Sequence, residues 1–252
     1  MLHGFPLHGG TYRRLLPRLA ARRTCYVFDF LGAGESRWNT GDDFSFGAQA
    51  LSVSRALDAL DVGPYDVLAH DSGGTVARLL ALIDQERVRR LALINTEVPG
   101  HRPPWIPLYA KLLSLPGSPT FFQWLLRSKA FLHSPAGFGG SFVDTRLIDG
   151  DFHAHFVEPL TRSRRRTLGY AHFLRGLDWG EIDALATKHE AIRSPVLLLW
   201  GEADPTFPVE QGRRLAAQLP SCVGFRTIAG AKLFPQEEKP MEVLDHLQGF
   251  FS

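Results

Sequence analysis

Cysteine is scarce: the 252-residue chain holds two, Cys25 and Cys222. They stand far apart, one in a strand-like run and one near a turn, which excludes a disulfide framework and a cysteine metal site. No apolar run approaches the about 18 residues that a membrane span needs. The first residues do not read as a signal peptide, because Arg13 and Arg14 follow the first turn signals instead of preceding an apolar run. The cytoplasm is therefore the expected location. Charge of either sign is also nearly absent in excess. The formal net charge is +2, too small to recruit nucleic acid or a membrane surface. The one dense basic run, Arg162, Arg164, Arg165 and Arg166, reads as a solvated helix face, with attraction of an anionic substrate as the minor alternative. Internal repeats and low-complexity segments are missing too.

What is present is an ordinary globular composition, 44% hydrophobic and 21% charged, in a chain long enough for one large α/β domain. Short apolar runs suited to buried strands occur at Tyr26–Phe30, Asp66–Ala69, Val88–Asn95, Pro195–Trp200 and Val223–Ile228. Apolar residues at helical spacing mark Phe46–Leu60, a segment opening near Gly74, Glu210–Leu219 and Met241–Phe251. Strands alternating with helices predict a mostly parallel sheet covered on both faces. The alternation breaks between Pro99 and Ser194. That stretch lacks strand-like runs and has helical pieces at Leu108–Leu115, Thr120–Leu126 and Phe152–Leu160. The expected organisation is an α/β core of residues 1–98 and 195–252 with a mostly helical cap at 99–194.

The segment Asp66–Val67–Leu68–Ala69–His70–Asp71–Ser72–Gly73–Gly74 turns a strand sharply into a helix. At such an elbow the central residue takes a strained backbone, so the residues two places away must be small. Centring on Asp71 places Ala69 and Gly73 there. Centring on Ser72 places His70 there, which is bulky. Sterics favour Asp71 as the exposed nucleophile; a plain turn with Asp71 as a helix N-cap is the bland alternative.

This elbow resembles that of the haloalkane dehalogenase and epoxide hydrolase branch of the α/β-hydrolase superfamily. Leu2–His3–Gly4–Phe5–Pro6 resembles the branch's oxyanion-side motif. Leu31–Ser36 resembles the turn after the next strand, and Leu199–Asp204 the strand end that delivers an acid. The likeness spans nearly the whole chain and is least clear in the cap. It implies an α/β-hydrolase fold in which Asp71 attacks an electrophilic carbon to give an alkyl ester, which water then hydrolyses. It further implies Asp204 as the orienting acid, with Asn95 and Glu97 as fallback acids. The backbone N–H groups of Phe5 and Ser72 are the implied oxyanion hole. Haloalkane dehalogenases usually carry Trp directly after the nucleophile; Ser72 stands there instead. Epoxide hydrolases use cap tyrosines as proton donors, which makes Tyr109 and Tyr170 candidates. Trp105, Trp124 and Trp179 are expected in the pocket wall or the cap core.

The resemblance fails at two places. The loop that should hold the catalytic histidine reads Gly230–Ala231–Lys232–Leu233–Phe234–Pro235, with Leu233 at the histidine's position. No histidine lies between residues 190 and 245, and general-base assistance is typically worth ~10²–10⁴-fold. His133, His153, His155 and His172 in the cap are the possible substitutes. The buried strand that should run into the His3–Gly4 motif is also reduced to Met1 and Leu2. Because each unsatisfied buried group costs ~1–3 kcal/mol, the expectation is a true start farther upstream or a shortened gene. The leading expectation is a hydrolase acting on a small apolar epoxide, haloalkane or similar electrophile. A catalytically impaired or ligand-binding homologue and a serine esterase using Ser72 are the alternatives. No cofactor, metal, nucleic-acid or membrane partner is expected, and the assembly is a monomer or homodimer.

Overall fold

A computed structural model describes residues 1–252. Strands β1 (Tyr65–His70), β2 (Val88–Ile94), β3 (Val196–Gly201) and β4 (Cys222–Ile228) form one sheet in that order. All three pairings are parallel. A parallel strand is covered on both faces, so it must be apolar throughout rather than alternating. In β3 every residue is buried.

Successive side chains then divide between two cores. Val67, Ala69, Leu91, Leu93, Val196 and Leu198 join the larger cluster. Leu68, Ala92, Ile94, Leu197 and Leu199 join the smaller one behind the sheet. The covering helices before β3 include α1 (Leu16–Ala20), α2 (Phe46–Ala59) and α3 (Ser72–Ile83). Between β2 and β3 run α4 (Trp105–Leu113), α5 (Ser118–Leu125), α6 (Lys129–His133), α7 (Glu158–Arg162), α8 (Arg164–Arg175) and α9 (Trp179–Lys188), with no strand among them. After β3 come α10 (Val209–Gln218), α11 (Pro235–Glu238) and α12 (Pro240–Phe251). The larger core continues into the helical insertion through Leu126, Phe142, Phe152, Phe156 and Phe173. Basic residues of the Arg162–Arg166 run pair locally: Arg162 with Glu158, and Arg166 with Glu35.

Two expected elements differ. The spacing predicts helix over Phe152–Leu160, but His153–Val157 forms a wider π-turn before α7. Pro159 has no N–H to donate to the carbonyl four residues back, and that carbonyl, of His155, instead lies 3.0 Å from His8 Nε2. The second is Tyr26–Phe30, which is not a strand. Only Phe28 is paired, through an isolated parallel bridge to Leu2, which in turn bridges to Ala69. Leu2 therefore joins the two sides at a single point: its N–H donates to Leu68 O (2.9 Å) and its carbonyl accepts from His70 N (3.0 Å). Beside that point lies a cavity of about 390 Å³, lined by Thr24, Cys25, Tyr26 and Phe28 from one side and by Tyr65, Asp66, Val67 and Leu68 from the other. A strand exists only where a neighbour offers a ladder, so this segment stays irregular despite its strand-forming composition.

Candidate active site

The turn from β1 into α3 has the geometry expected of an elbow. Asp71 takes φ 52° and ψ −127°, a conformation that favours glycine. Asp71 occupies the N-cap position of α3, but its side chain makes no capping bond there. Backbone bonds fix the strained residue: Asp71 N donates to Asn95 O at 2.8 Å, and Asp71 O accepts from Gly74 N at 2.7 Å and Thr96 Oγ1 at 2.9 Å. The small neighbours are required. A Cβ on Gly73 would lie 2.3 Å from Leu2 O, and one on Gly74 would lie 2.4 Å from Thr96 Oγ1.

The His3–Pro6 segment packs against the same carboxylate. A Cβ on Gly4 would come within 2.3 Å of Asp71 Cβ. His3 holds the segment in place, with Nδ1 on Gly4 O at 3.0 Å and Nε2 accepting from Phe30 N at 3.0 Å. The Ser72 N–H faces the Asp71 carboxyl and favours its charged form. The Phe5 N–H has no backbone acceptor, and Phe5 lines the same pocket as Asp71 and Ser72.

Three buried carboxyls converge here. Glu97 contacts Asp71 side chain to side chain and is 1% exposed. Its Oε1 accepts from Ser72 Oγ at 2.9 Å and its Oε2 from Thr75 Oγ1 at 2.7 Å. Arg78, fully buried on α3, donates to Thr75 Oγ1 (2.9 Å) and to Glu97 O (2.8 Å), and contacts His189 at 3.2 Å. Burial lowers the Arg78 pKa to about 10, so the guanidinium stays charged at neutral pH. Burial, and then the negative charges of Glu97 and Asp204, hold the Asp71 carboxyl well above the usual carboxylate range. Asp204 is raised to about 7, chiefly by burial. Its Oδ2 accepts from Asn95 Nδ2 at 2.6 Å and its Oδ1 from Thr206 N at 2.8 Å. Asn95 also accepts from Gly201 N at 2.8 Å, tying the end of β2 to the end of β3.

A pocket of about 330 Å³ opens over the elbow. Asp71, Ser72, Glu97, Phe5, Tyr109, Tyr170 and Leu233 all line it, whereas Asn95 and Asp204 do not. Asp204 lies behind the wall formed by Pro205 and Thr206. Both tyrosine hydroxyls have their protons engaged by backbone carbonyls: Tyr109 on Ala136 O, and Tyr170 on Leu7 O at 3.0 Å. Burial raises both phenols. Trp105 lines the pocket and Trp179 packs against the larger core. Trp124 departs from expectation: it is 63% exposed, stacked on exposed Phe121.

No histidine lines the pocket. His133 pairs with Asp149, His155 pairs with Asp151, and His172 packs against Trp38 and Phe44. His153 belongs to the π-turn, also outside the pocket lining. These four histidines of the helical insertion thus stay out of the pocket lining. His70, next to Asp71, is fully buried with Nε2 on Leu233 O at 2.9 Å, and burial lowers it to about 3. The residues that sequence reasoning undervalued are Glu97, placed there only as a fallback acid, and Arg78. Two hydroxyl residues at 72 and 75, one helical turn apart, with an arginine three beyond, were the available signal.

Comparison with known proteins agrees with the fold. A family profile described as alpha/beta hydrolase fold matches residues 1–240. The uncharacterized hydrolase YugF of Bacillus subtilis (strain 168) is 25% identical, over 99% of this chain and 88% of its own length. Haloalkane dehalogenase 2 of Mycobacterium tuberculosis (strain ATCC 25618 / H37Rv) is 26% identical, over 95% of this chain and 82% of its own. Among solved structures, the epoxide hydrolase CorEH without ligand superposes with a TM-score of 0.79 at 20% identity, covering 99% of this chain and 89% of that one. At that identity the superposition speaks for the fold only.

Proposed function

The chain belongs to the alpha/beta hydrolase fold family, and from that premise we propose that it is a hydrolase working through an Asp71 alkyl ester on a small apolar electrophile. The observation that carries this reading is the positive φ of Asp71 at the floor of an apolar pocket. Strain of this kind persists only where the surroundings enforce it, and here it presents a carboxylate, not a hydroxyl, at the elbow. The Ser72 and Phe5 N–H groups are suited to hold the ester oxygen as charge develops during hydrolysis. Asp204 and Asn95 brace the strand ends behind the site. The helices of residues 99–194 serve as a cap, supplying Trp105, Tyr109, Phe122 and Phe131 to an apolar wall. The relative named haloalkane dehalogenase 2 agrees with an alkyl-transfer chemistry, while Ser72 in place of a halide-holding Trp favours an oxygen leaving group.

The test is intact mass of the protein after exposure to a panel of epoxides, alkyl halides and activated esters. An alkyl adduct mapped to Asp71, absent from Asp71→Ala, is the expected result. The bond from Ser72 Oγ to Glu97 favours a second reading, a serine esterase; an acyl adduct on Ser72 would establish it in place of the first. Leu233 at the pocket wall favours a third, a ligand-binding homologue, which a folded protein giving no adduct from any compound would support.

A further inference from the structure

We propose that Glu97 carries the proton in both halves of the reaction, standing in for the histidine that Leu233 displaces, and that the chemistry it suits is epoxide opening. This rests on the Asp71 reading.

The argument is one of contact and balance. Glu97 touches Asp71, lines the pocket, and is held by two hydroxyl donors, Ser72 and Thr75. The buried Arg78 guanidinium donates to Thr75 and to the Glu97 carbonyl, so positive charge lies behind this carboxylate. The groups facing the pair are Asp204 and Tyr12 toward Asp71, and Arg78, backed by His189, toward Glu97. Two touching buried carboxyls do not both ionise. The resting pair therefore holds one proton.

With an epoxide the proton closes a cycle. An Asp71 oxygen bonds to an epoxide carbon as the carbon–oxygen bond breaks, and the shared proton passes through Glu97 to the new alkoxide. Glu97 is left ionised beside the ester. It then takes a proton from water as the water oxygen bonds to the ester carbon. The tetrahedral carbon expels the alkoxide, which takes the proton back from Glu97, and Asp71 emerges as the free acid. Epoxide and water become a diol, and the pair again holds one proton. A halide leaves without a proton, so Glu97 remains protonated beside the ester and must lose that proton to solvent before it can act as a base.

The experiment uses styrene oxide and 1-bromohexane on the full chain, following the Asp71 adduct by mass. In the wild-type protein the adduct is expected to clear. In Glu97→Gln, 1-bromohexane is expected to form the adduct, since bromide needs no proton, and its loss should slow ~10²–10⁴-fold, with Glu97→Asp partly restoring it. An adduct that clears from Glu97→Gln at the wild-type rate overturns the role of Glu97 and leaves Asp71 intact. No adduct on Asp71 in any variant overturns the Asp71 reading and this one with it. If Glu97→Gln does not fold, the wild-type pH profile decides: loss that rises with pH and levels off supports a carboxylate base, whereas loss proportional to hydroxide throughout overturns it.

Discussion

Asp204 is buried without a cationic partner, accepting from Asn95 and the Thr206 backbone. Its pKa is raised from 3.8 to about 7 by burial, and the sign of the consequence follows. Below pH 3.8 the carboxyl is protonated in both folded and unfolded chains. As pH rises, the unfolded chain ionises first, so stability falls between about 4 and about 7 and then levels off. Asp204→Asn should remove that slope, so the difference in unfolding free energy between variant and wild type grows across this window to the order of a few kcal/mol. Urea unfolding at about pH 4, 5, 6 and 7 measures it across the window; a constant difference would contradict the buried neutral acid. At this scale Asp71, Asp204 and Leu233 were legible because chain-local motifs carry them. Glu97 was legible only as a fallback acid, since its partners Ser72 and Thr75 lie 25 and 22 residues away. Which carboxylate meets which hydroxyl depends on how β2 seats beside β1, and no local pattern records that.

The elbow is a junction of elements as much as a residue. The first turn of α3 presses on the Leu2–His3 backbone through Gly73, where a Cβ would lie 2.3 Å from Leu2 O and 2.5 Å from His3 O. Gly73→Ala must push α3 away from backbone that cannot yield like a flexible side chain. A stability loss of about 1–3 kcal/mol is expected from overpacking, together with loss of adduct formation at Asp71. Chemical denaturation and the mass assay read the two effects separately. Elements buried on both faces, such as β3 and the Leu91–Ile94 part of β2, were visible in sequence as continuous apolar runs. Tyr26–Phe30 has a similar composition, yet only Phe28 is bridged, to Leu2, with Met1 bonded to Tyr26 O and Phe28 N, because a strand is a property of two chains. The π-turn at His153–Val157 escaped for a similar reason, as its freed carbonyl meets His8 from far along the chain.

Across the whole molecule, one sheet separates two apolar layers that share no strand face, and no helix is long and apolar enough to cross a membrane. The layers are interrupted by the cavity of about 390 Å³ beside β1. In a parallel ladder, alternate residues of a strand turn their amides to opposite neighbours. Tyr65 N donates to Arg87 O and Asp71 N to Ile94 O on the β2 side, whereas His70 N donates to Leu2 O on the other. Val67 and Ala69 thus share the β2 side. Hydrogen exchange at the amides of Val67, Ala69 and Asp71, which β2 holds, should therefore be slow. Residue-resolved exchange by NMR reads this directly, and fast exchange there would mean that the β1–β2 ladder opens in solution. The strained residue at the end of β1 is therefore only as durable as the ladder behind it.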